Sequence, residues 1–400
     1  MIKLDHLLHP IRAARYAQTL LAEHRRMSDG ALRSDRDYAN DPRYRLQSVT
    51  EGFASHLEKT ADDRALLKRI CAAYIKATER QASARAEYGA TPWWRNIQRN
   101  GLSPVRQALA ARDLDKLQLM YRNFFRDPCG TGLVARPPGR ATSYFESEIS
   151  GQRSRFILGD TLYRIDRWRG QTSDRFPVSD LRCTTIGNPF GILLEGTLLT
   201  AAAPYQHYCA QRIGELLDGS VPVEDSFDRR VAMVAEIGGG YGGMAYYLLR
   251  AEAAITYLDF DLPESLALTA YYLAKSMPDR PMLLYGEEDF APGVMSRYDA
   301  ILMPAWELGS VPTHAVDITF SSHALSDLTA PAQSEYMREI ARVTSAWLLN
   351  IGRESGCEAL RSLIEAHHPS LASISCSPSE WNSYRAPHAK EVEQLYGVRT

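Results

Sequence analysis

In the second half of the chain, short apolar runs alternate regularly with longer segments of helical periodicity. Runs long enough for one buried strand each lie at 231–237, 254–260, 281–286, 298–303 or 315–321, 345–351 and 370–376. Strands that alternate with helices in this way are typical of βαβ units, which place helices on both faces of a parallel sheet. The pattern therefore predicts an α/β fold with a Rossmann-like, doubly wound and mostly parallel sheet.

The first half of the chain has a different pattern. Residues 1 to about 126 are rich in Ala, Arg, Leu and Glu at helical spacing, most clearly over 57–80 and 105–125. Two later segments, 155–165 and 192–200, each have turn residues between two apolar runs and predict short β-hairpins. We therefore expect a largely helical N-terminal region with small hairpins before the sheet.

Five glycines in six positions follow directly after the run 231–237. The hexapeptide reads Gly238-Gly239-Gly240-Tyr241-Gly242-Gly243. The apolar run behind it, 244–249, is typical of a buried helix. Glycine adopts positive φ angles without steric cost and lets a ligand approach the main chain closely. A strand, a glycine-rich turn and a helix in this order predict a binding loop for a nucleotide cofactor.

Two cofactor classes fit the glycine spacing. Gly238, Gly240 and Gly243 satisfy the dinucleotide pattern, whereas Gly238, Gly240 and Gly242 satisfy the loop that binds S-adenosyl-L-methionine. Glu236 distinguishes them, because a carboxylate at the end of a buried strand is costly without a partner. S-adenosyl-L-methionine offers an ammonium and a sulfonium as partners, while a pyrophosphate would repel the acid. Glu236 therefore favours S-adenosyl-L-methionine over NAD(P).

Acidic residues follow the next two strands of the predicted sheet. Asp259 and Asp261 end the second strand on the same face, and either can accept hydrogen bonds from the hydroxyls of a ribose. The third strand runs into Glu288 and Asp289, and a carboxylate there can accept from the adenine amino group; we favour Asp289. Ligands of such sheets bind at the carboxyl ends of the strands, so we expect these acids near the glycine loop.

Composition narrows the classes of partner. The formal charge is −2, from 46 basic and 48 acidic residues, so no overall field favours nucleic acid or an anionic membrane. The six cysteines lack the C-x-x-C spacing of zinc sites, and no acidic residues have the compact spacing of a metal site. No apolar run approaches the length of a membrane span. We therefore expect a cytoplasmic protein with no membrane span, no nucleic-acid partner and no bound metal.

Several stretches together resemble a known family. They are similar to bacterial sugar O-methyltransferases, within the class I methyltransferases that use S-adenosyl-L-methionine, and comprise 92–95, 122–126, 186–196, 236–243 and 316–328. The resemblance implies the class I methyltransferase fold and a small-molecule acceptor, most simply a hydroxyl of a sugar or of a sugar-containing metabolite. It also implies Asp261, in preference to Asp259, as the residue that binds the ribose. At 321–323 the chain reads Ser-Ser-His, where the family usually has an Asn-containing run. At 327–328 it reads Asp-Leu, where the family usually has Glu-Met.

Methyl transfer to an aliphatic hydroxyl needs a general base, because the pKa of such a hydroxyl lies far above neutrality. His323 is the candidate, since it follows the run 315–321 at the edge where the methyl group is expected and a histidine titrates near neutral pH. Asp327, one helical turn further on, is expected to orient the imidazole. His323 equally fits a helix cap or the wall of a polar pocket, and His207 and His388 are further candidates.

The change of pattern near residue 200 divides the chain into two expected regions. Residues 1–200 are expected to form a helical cap over the acceptor or a homodimer surface, and residues 201–400 to form the methyltransferase domain. The expected buried anchors of the first region are Trp93, Trp94, Phe124 and Phe125. Two other activities stay open: N-methylation of a small natural product, and an NAD(P)-dependent oxidoreductase that uses the same glycine loop.

Overall fold

The computed structural model describes residues 10–57, 62–134, 149–219, 231–252 and 254–399. Its N-terminal region is built from helices. These are α1 (Pro10–Tyr38), α2 (Leu46–Gly52), α3 (Arg64–Gln81), α4 (Pro92–Asn100), α5 (Ser103–Ala111), α6 (Leu114–Tyr121) and α7 (Gly151–Gln171). Their apolar faces pack against one another and against helices that cover one face of the central sheet.

The segment 155–165 lies inside helix α7, so the hairpin predicted there is wrong. Leu158 and Leu162 lie one helical turn apart and are fully buried. Gly159 allows close packing of helices and does not form a turn, because a Cβ at this position would lie 2.1 Å from Oγ of Ser34. A short stretch with apolar residues around a Gly-Asp pair fits either element, and here tertiary packing favours the helix.

The segment 192–200 forms a β-hairpin. β1 (Ile192–Leu194) pairs antiparallel with β2 (Thr197–Leu199). Glu195 and Gly196 form the turn with φ angles of +51° and +71°, the left-handed backbone that a two-residue type I′ hairpin turn requires. Helix α8 (Ala203–Asp218) follows the hairpin.

Eight strands form the central sheet. They are β3 (Ala232–Ile237), β4 (Ile255–Asp261), β5 (Met282–Leu284), β6 (Ala300–Pro304), β7 (Val316–Ser322), β8 (Thr344–Arg353), β9 (Leu371–Ser379) and β10 (Glu391–Val398). Their order across the sheet is β5-β6-β4-β3-β7-β8-β10-β9, and β10 runs antiparallel to both of its neighbours while the other pairs are parallel. The two segments 298–303 and 315–321, taken above as alternatives, both contain strands, and β10 was not predicted.

Helices cover both faces of this sheet. They are α9 (Gly243–Ala251), α10 (Pro263–Ser276), α11 (Pro292–Met295), α12 (Ala330–Val343) and α13 (Glu354–His367). Successive strand residues point to opposite faces, so that Val234 belongs to a hydrophobic cluster with α8, α9 and α10, and Ala235 to a second cluster with α12 and α13. The mostly parallel sheet with helices on both faces confirms the predicted doubly wound α/β fold.

Buried polar contacts fix the N-terminal region to the sheet's helices. Asp63, just before α3, accepts hydrogen bonds from Nζ of Lys275 at 2.8 Å and from the hydroxyl of Tyr271 at 2.9 Å. Burial alone would raise the pKa of Asp63, but these hydrogen bonds outweigh it and lower that pKa. Gln98 of α4 donates to Glu264 of α10. The two regions therefore pack directly on each other, and the division near residue 200 stays a prediction.

The hydropathy of the helices in the described ranges bears on membrane insertion. None of their helices combines the length and the apolar character that a bilayer crossing requires.

Candidate cofactor and acceptor site

The carboxyl ends of β3, β4, β6 and β7 border a cleft of about 340 Å³, which we call the glycine-loop cleft. The next strands in the chain lie on opposite sides of β3, with β4 on one side and β7 on the other. The strand order therefore reverses at β3, and α/β sheets bind ligands at such a reversal. Residues of the N-terminal region complete the wall of the cleft. Its lining brings together predicted site residues from distant parts of the chain: Gly238, Gly240, Asp261, His323 and Asp327.

Three glycines of the loop have left-handed backbone conformations. The φ angle is +81° at Gly238, +67° at Gly240 and +84° at Gly242, a region that residues with side chains rarely adopt. A Cβ on Gly238 would also lie 2.5 Å from the Cβ of Ala324. Gly240 presents bare backbone to the cleft, whereas Gly242 is the N-cap of α9 and is not part of the lining.

Two carboxylates of β4 bind the main chain of the glycine loop. Oδ1 of Asp259 accepts a hydrogen bond from the amide of Gly239 at 3.1 Å, and Oδ2 of Asp261 accepts one from the amide of Gly240 at 3.1 Å. Asp259 is fully buried, whereas Asp261 lines the cleft. The two acids lie on the same strand face, so their positions in the sequence did not decide between them. The geometry does, because Asp261 faces the cleft and Asp259 shapes the loop.

Glu236, Asp259 and Asp261 form a cluster of carboxylates, of which Glu236 and Asp259 are buried and Asp261 is partly buried. The hydroxyl of Tyr257 donates to Oε2 of Glu236 at 2.6 Å, and Oδ2 of Asp259 has no hydrogen-bond partner among the residues that the structure describes. Burial raises the pKa of Glu236 to about 7 and that of Asp261 to about 7. Burial and the charges of the two neighbouring acids raise the pKa of Asp259 well above its usual value. Within the described residues none of the three forms an ion pair, so the cluster suits a ligand group that brings positive charge.

Asp289 lies outside the glycine-loop cleft, which is a correction to the proposed adenine contact. Its side chain lines a separate cleft that also contains Lys76 and Arg80. The third strand in the chain, β5, is not a neighbour of β4, because β6 lies between them. Ala305, directly after β6, lines the glycine-loop cleft instead. Strand order across a sheet is not visible in local spacing.

His323 directly follows β7 and lines the cleft with 32% of its side chain exposed. Its φ angle is +66°, and its amide donates to the carbonyl of Ile351 at 2.7 Å. A left-handed residue that is not glycine is uncommon, and such strained positions cluster at functional sites. The backbone thus fixes this imidazole at the carboxyl edge of the sheet, beside the glycine-loop cleft.

The residue expected to orient the imidazole has a different partner. Asp327 lines the cleft, but its Oδ1 lies 3.6 Å from Nε of Arg353, and its hydrogen bond with His323 joins only the two main chains, at 3.1 Å. The carboxylate within 4.0 Å of Nε2 of His323 is that of Glu391, at the start of β10. Sequence reasoning missed Glu391 because it missed this strand, for which the apolar run 395–398 was the available signal.

The other two histidine candidates lie away from the cleft. His207 is buried against the rings of Phe176 and Tyr247, and its Nδ1 accepts a hydrogen bond from Nε1 of Trp168 at 3.1 Å. Burial lowers the pKa of His207 to about 4, so that it is neutral and structural. His388 is exposed and is not part of the cleft lining.

The N-terminal wall of the cleft is aromatic. Phe124 and Phe125 are buried and stack with ring centroids 4.4 Å apart, as expected of anchors. Trp94 is partly buried, but Trp93 is 53% exposed, so its assignment as a buried anchor is wrong. Trp93, Trp94 and Tyr88 instead line the glycine-loop cleft.

No family model and no curated protein matches the chain. Among solved structures, the chain is similar to a SAM-dependent methyltransferase from Aquifex aeolicus, at 13% identity over 43% of this chain and 84% of that one, with a TM-score of 0.30. It is also similar to geranyl diphosphate methyltransferase in complex with GPP and sinefungin, at 10% identity over 49% and 80% of the chains, with a TM-score of 0.33. The [4+2]-cyclase SpnF has 12% identity over 48% and 81%, with a TM-score of 0.32. Likeness this low carries no conclusion about the activity of this chain.

Proposed function

We propose that this chain is an S-adenosyl-L-methionine-dependent methyltransferase that moves a methyl group to a hydroxyl of a small-molecule acceptor. The observation that carries the proposal is the cluster of Glu236, Asp259 and Asp261 beside the glycine loop, without an ion-pair partner in the described chain. Buried carboxylates are costly, and a ligand that brings positive charge offsets the cost. The ammonium and sulfonium of S-adenosyl-L-methionine bring that charge, whereas the pyrophosphate of NAD(P) adds repulsion.

The residues of the cleft fit this cofactor. Gly238 and Gly240 expose main chain that a ligand can approach, and Gly242 allows the turn into α9. Each oxygen of Asp261 accepts one main-chain hydrogen bond, and a carboxylate has about four acceptor positions, so two remain for the hydroxyls of the ribose. Glu236 lies behind the loop and stabilises the cofactor's positive charge without lining the cleft.

When bound, the cofactor supplies a methyl group on its sulfonium. The residues of the chain align the acceptor hydroxyl with that methyl group, and positioning of this kind can lower a barrier by about 7–11 kcal/mol. His323 takes the proton of the hydroxyl as the new bond forms, since its imidazole lines the same cleft. Asp327 is proposed to bind a second hydroxyl of the acceptor from the same stretch of wall.

A sugar or a sugar-containing metabolite is the acceptor that we propose. The similarity of 186–196 and 316–328 to sugar O-methyltransferases supports it, as do the polar groups at the end of β7. An amine acceptor on a small natural product is the second candidate. It needs positioning but no base, so retention of full activity after loss of the His323 imidazole would favour it.

Calorimetric titration with S-adenosylhomocysteine, NAD and NADP tests the cofactor. We expect micromolar binding of S-adenosylhomocysteine alone, on the order of −8 kcal/mol. Glu236→Ala should weaken it roughly tenfold or more. The matched control is Glu358→Ala on the exposed side of α13, which should change nothing. Binding of a dinucleotide without S-adenosylhomocysteine would overturn the proposal.

A further inference from the structure

One indole in the glycine-loop cleft is unusually exposed. Tyr88, Trp93 and Trp94 line the N-terminal part of the cleft, and Trp93 is 53% exposed. Among the described residues, it is the only exposed tryptophan or phenylalanine side chain. A large apolar surface left open in a concave site is where a ligand gains contact area.

The local structure holds this indole in place. Helix α4 begins at Pro92, and Oγ1 of Thr91 accepts a hydrogen bond from the amide of Trp94 at 3.3 Å. Trp94 meets Trp93 edge-on, with ring centroids 5.3 Å apart, and packs close to Gly132. Because a helix cap and a neighbouring ring position it, Trp93 offers a fixed flat surface, and binding to it costs little side-chain entropy.

The charges around the cleft disfavour an anionic acceptor. None of the described residues that line it is a lysine or an arginine, and its acids are Asp261 and Asp327. The nearby cation Arg353 lies 3.6 Å from Asp327 and pairs with it. A phosphate or carboxylate on the acceptor would therefore meet negative charge and no cation among the described residues that line the cleft. Thr91 and His323 add hydrogen-bonding groups that suit a neutral acceptor.

We propose that the acceptor is an uncharged sugar or glycoside whose ring packs face-on against Trp93 and directs one hydroxyl toward His323; this rests on the methyltransferase function proposed above. The C–H face of a pyranose ring matches the flat indole, and its hydroxyls match the polar side chains Thr91, His323 and Asp327. Sugar phosphates, sugar acids and nucleotide sugars carry negative charges for which the described lining residues offer no lysine or arginine.

Methyl transfer from labelled S-adenosyl-L-methionine tests the charge of the acceptor. The neutral probes are the methyl glycosides of glucose, galactose, mannose and rhamnose; the charged probes are the 1-phosphates and nucleoside diphosphate derivatives of the same sugars. We expect transfer to at least one methyl glycoside, with kcat/KM roughly tenfold or more lower for its charged counterpart.

Two sets of results would contradict this inference. They are a preference for a charged sugar over its methyl glycoside, and no transfer to any glycoside by protein that binds S-adenosylhomocysteine. Absence of S-adenosylhomocysteine binding would contradict the proposed function itself.

Substitution of Trp93 tests the stacking surface. Trp93→Ala should raise the acceptor KM roughly tenfold while kcat and the affinity for S-adenosylhomocysteine stay near wild type, and Trp93→Phe should recover most of the loss. The matched control is Leu119→Ala on α6, which removes a 74% exposed apolar side chain outside the cleft. An unchanged acceptor KM in Trp93→Ala, or an equal loss of cofactor affinity, would overturn the assignment.

Discussion

Nε2 of His323 lies 4.0 Å from Oε1 of Glu391, which brings the end of β7 together with the start of β10. Both oxygens of Glu391 accept hydrogen bonds from Nδ2 of Asn382 at 3.0 Å, and Oδ1 of Asn382 accepts one from Nη2 of Arg164 at 2.6 Å. Arg164 is a buried residue of α7. A helix of the N-terminal region therefore holds, through one amide, the carboxylate beside the candidate base.

Glu391→Gln is expected to lower kcat for a hydroxyl acceptor roughly tenfold and to leave the acceptor KM unchanged. The physical reason is that the imidazolium formed on proton transfer loses the nearby negative charge, while the glutamine amide still fills the space beside Asn382. The pH profile of kcat should change with it, which a purely structural role would not cause. Steady-state kinetics across the neutral range measure both effects.

Asp327→Asn serves as the matched control for that experiment. Its carboxylate faces Arg353 and not the imidazole, and it is proposed to bind a hydroxyl of the acceptor. The substitution should therefore affect the acceptor KM more than the pH profile. If Asp327→Asn changes the pH profile and Glu391→Gln does not, Asp327 orients the imidazole as the sequence alone suggested.

Removal of the imidazole at position 323 tests the general base. We expect His323→Asn to reduce transfer to a hydroxyl by about 10²–10⁴-fold while S-adenosylhomocysteine still binds. Asparagine is the chosen replacement because the φ angle of +66° favours residues that tolerate left-handed backbone. A thermal melt close to wild type would show that the fold survives, and full activity in that variant would contradict the assignment.

The glycine loop and Asp261 could be identified from sequence because their chemistry depends on local spacing. Gly238 and Gly240 lie at fixed offsets after a strand, and an acid at the end of the following strand reaches the same edge in a parallel sheet. The shared strand face did not decide between Asp259 and Asp261. The structure distinguishes them, since Asp259 is buried under the loop and Asp261 is not.

The sequence-based predictions that were wrong or incomplete have non-local causes. Asp289 was misplaced because β6 separates β5 from β4, and strand order depends on which helices and edges pack well, which no single segment records. The segment around Gly159 was predicted as a hairpin, but the glycine lets its helix pack closely against Ser34. Ser34 belongs to a helix more than a hundred residues earlier in the chain. Glu391 was missed for the same reason: its relation to His323 exists only once β10 lies against β8.

Gly238→Ala is expected to abolish cofactor binding and to lower stability by about 1–2 kcal/mol, because alanine is strained at φ +81°. Its Cβ would also meet Ala324 at 2.5 Å. The control is Gly309→Ala, where a Cβ meets no atom within 4 Å and φ is not left-handed. Thermal melts and titration with S-adenosylhomocysteine measure the two effects. Normal binding by Gly238→Ala would show that the ligand does not approach this loop.

The buried carboxylates predict how cofactor binding depends on pH. Burial raises the pKa of Glu236 from 4.5 to about 7 and that of Asp261 from 3.8 to about 7. Without ligand, the free energy of unfolding should fall as pH rises from about 4.5 through about 7, because the unfolded chain releases these protons first. Binding of a cation favours the ionised carboxylates, so affinity should rise over the same range by up to about tenfold per pH unit for each group and level off above about pH 7.

Titration with S-adenosylhomocysteine from about pH 6 to about pH 8 measures this linkage, and buffers with different heats of ionisation count the protons released on binding. Glu236→Gln should reduce both the pH dependence and the proton count, because the neutral amide has no proton to lose. Glu358→Gln on the exposed side of α13 should leave both unchanged. Affinity that is constant or falls as pH rises would mean that these carboxylates do not meet the ammonium group of the bound ligand. The cluster beside the glycine loop would then be a structural feature of β3 and β4.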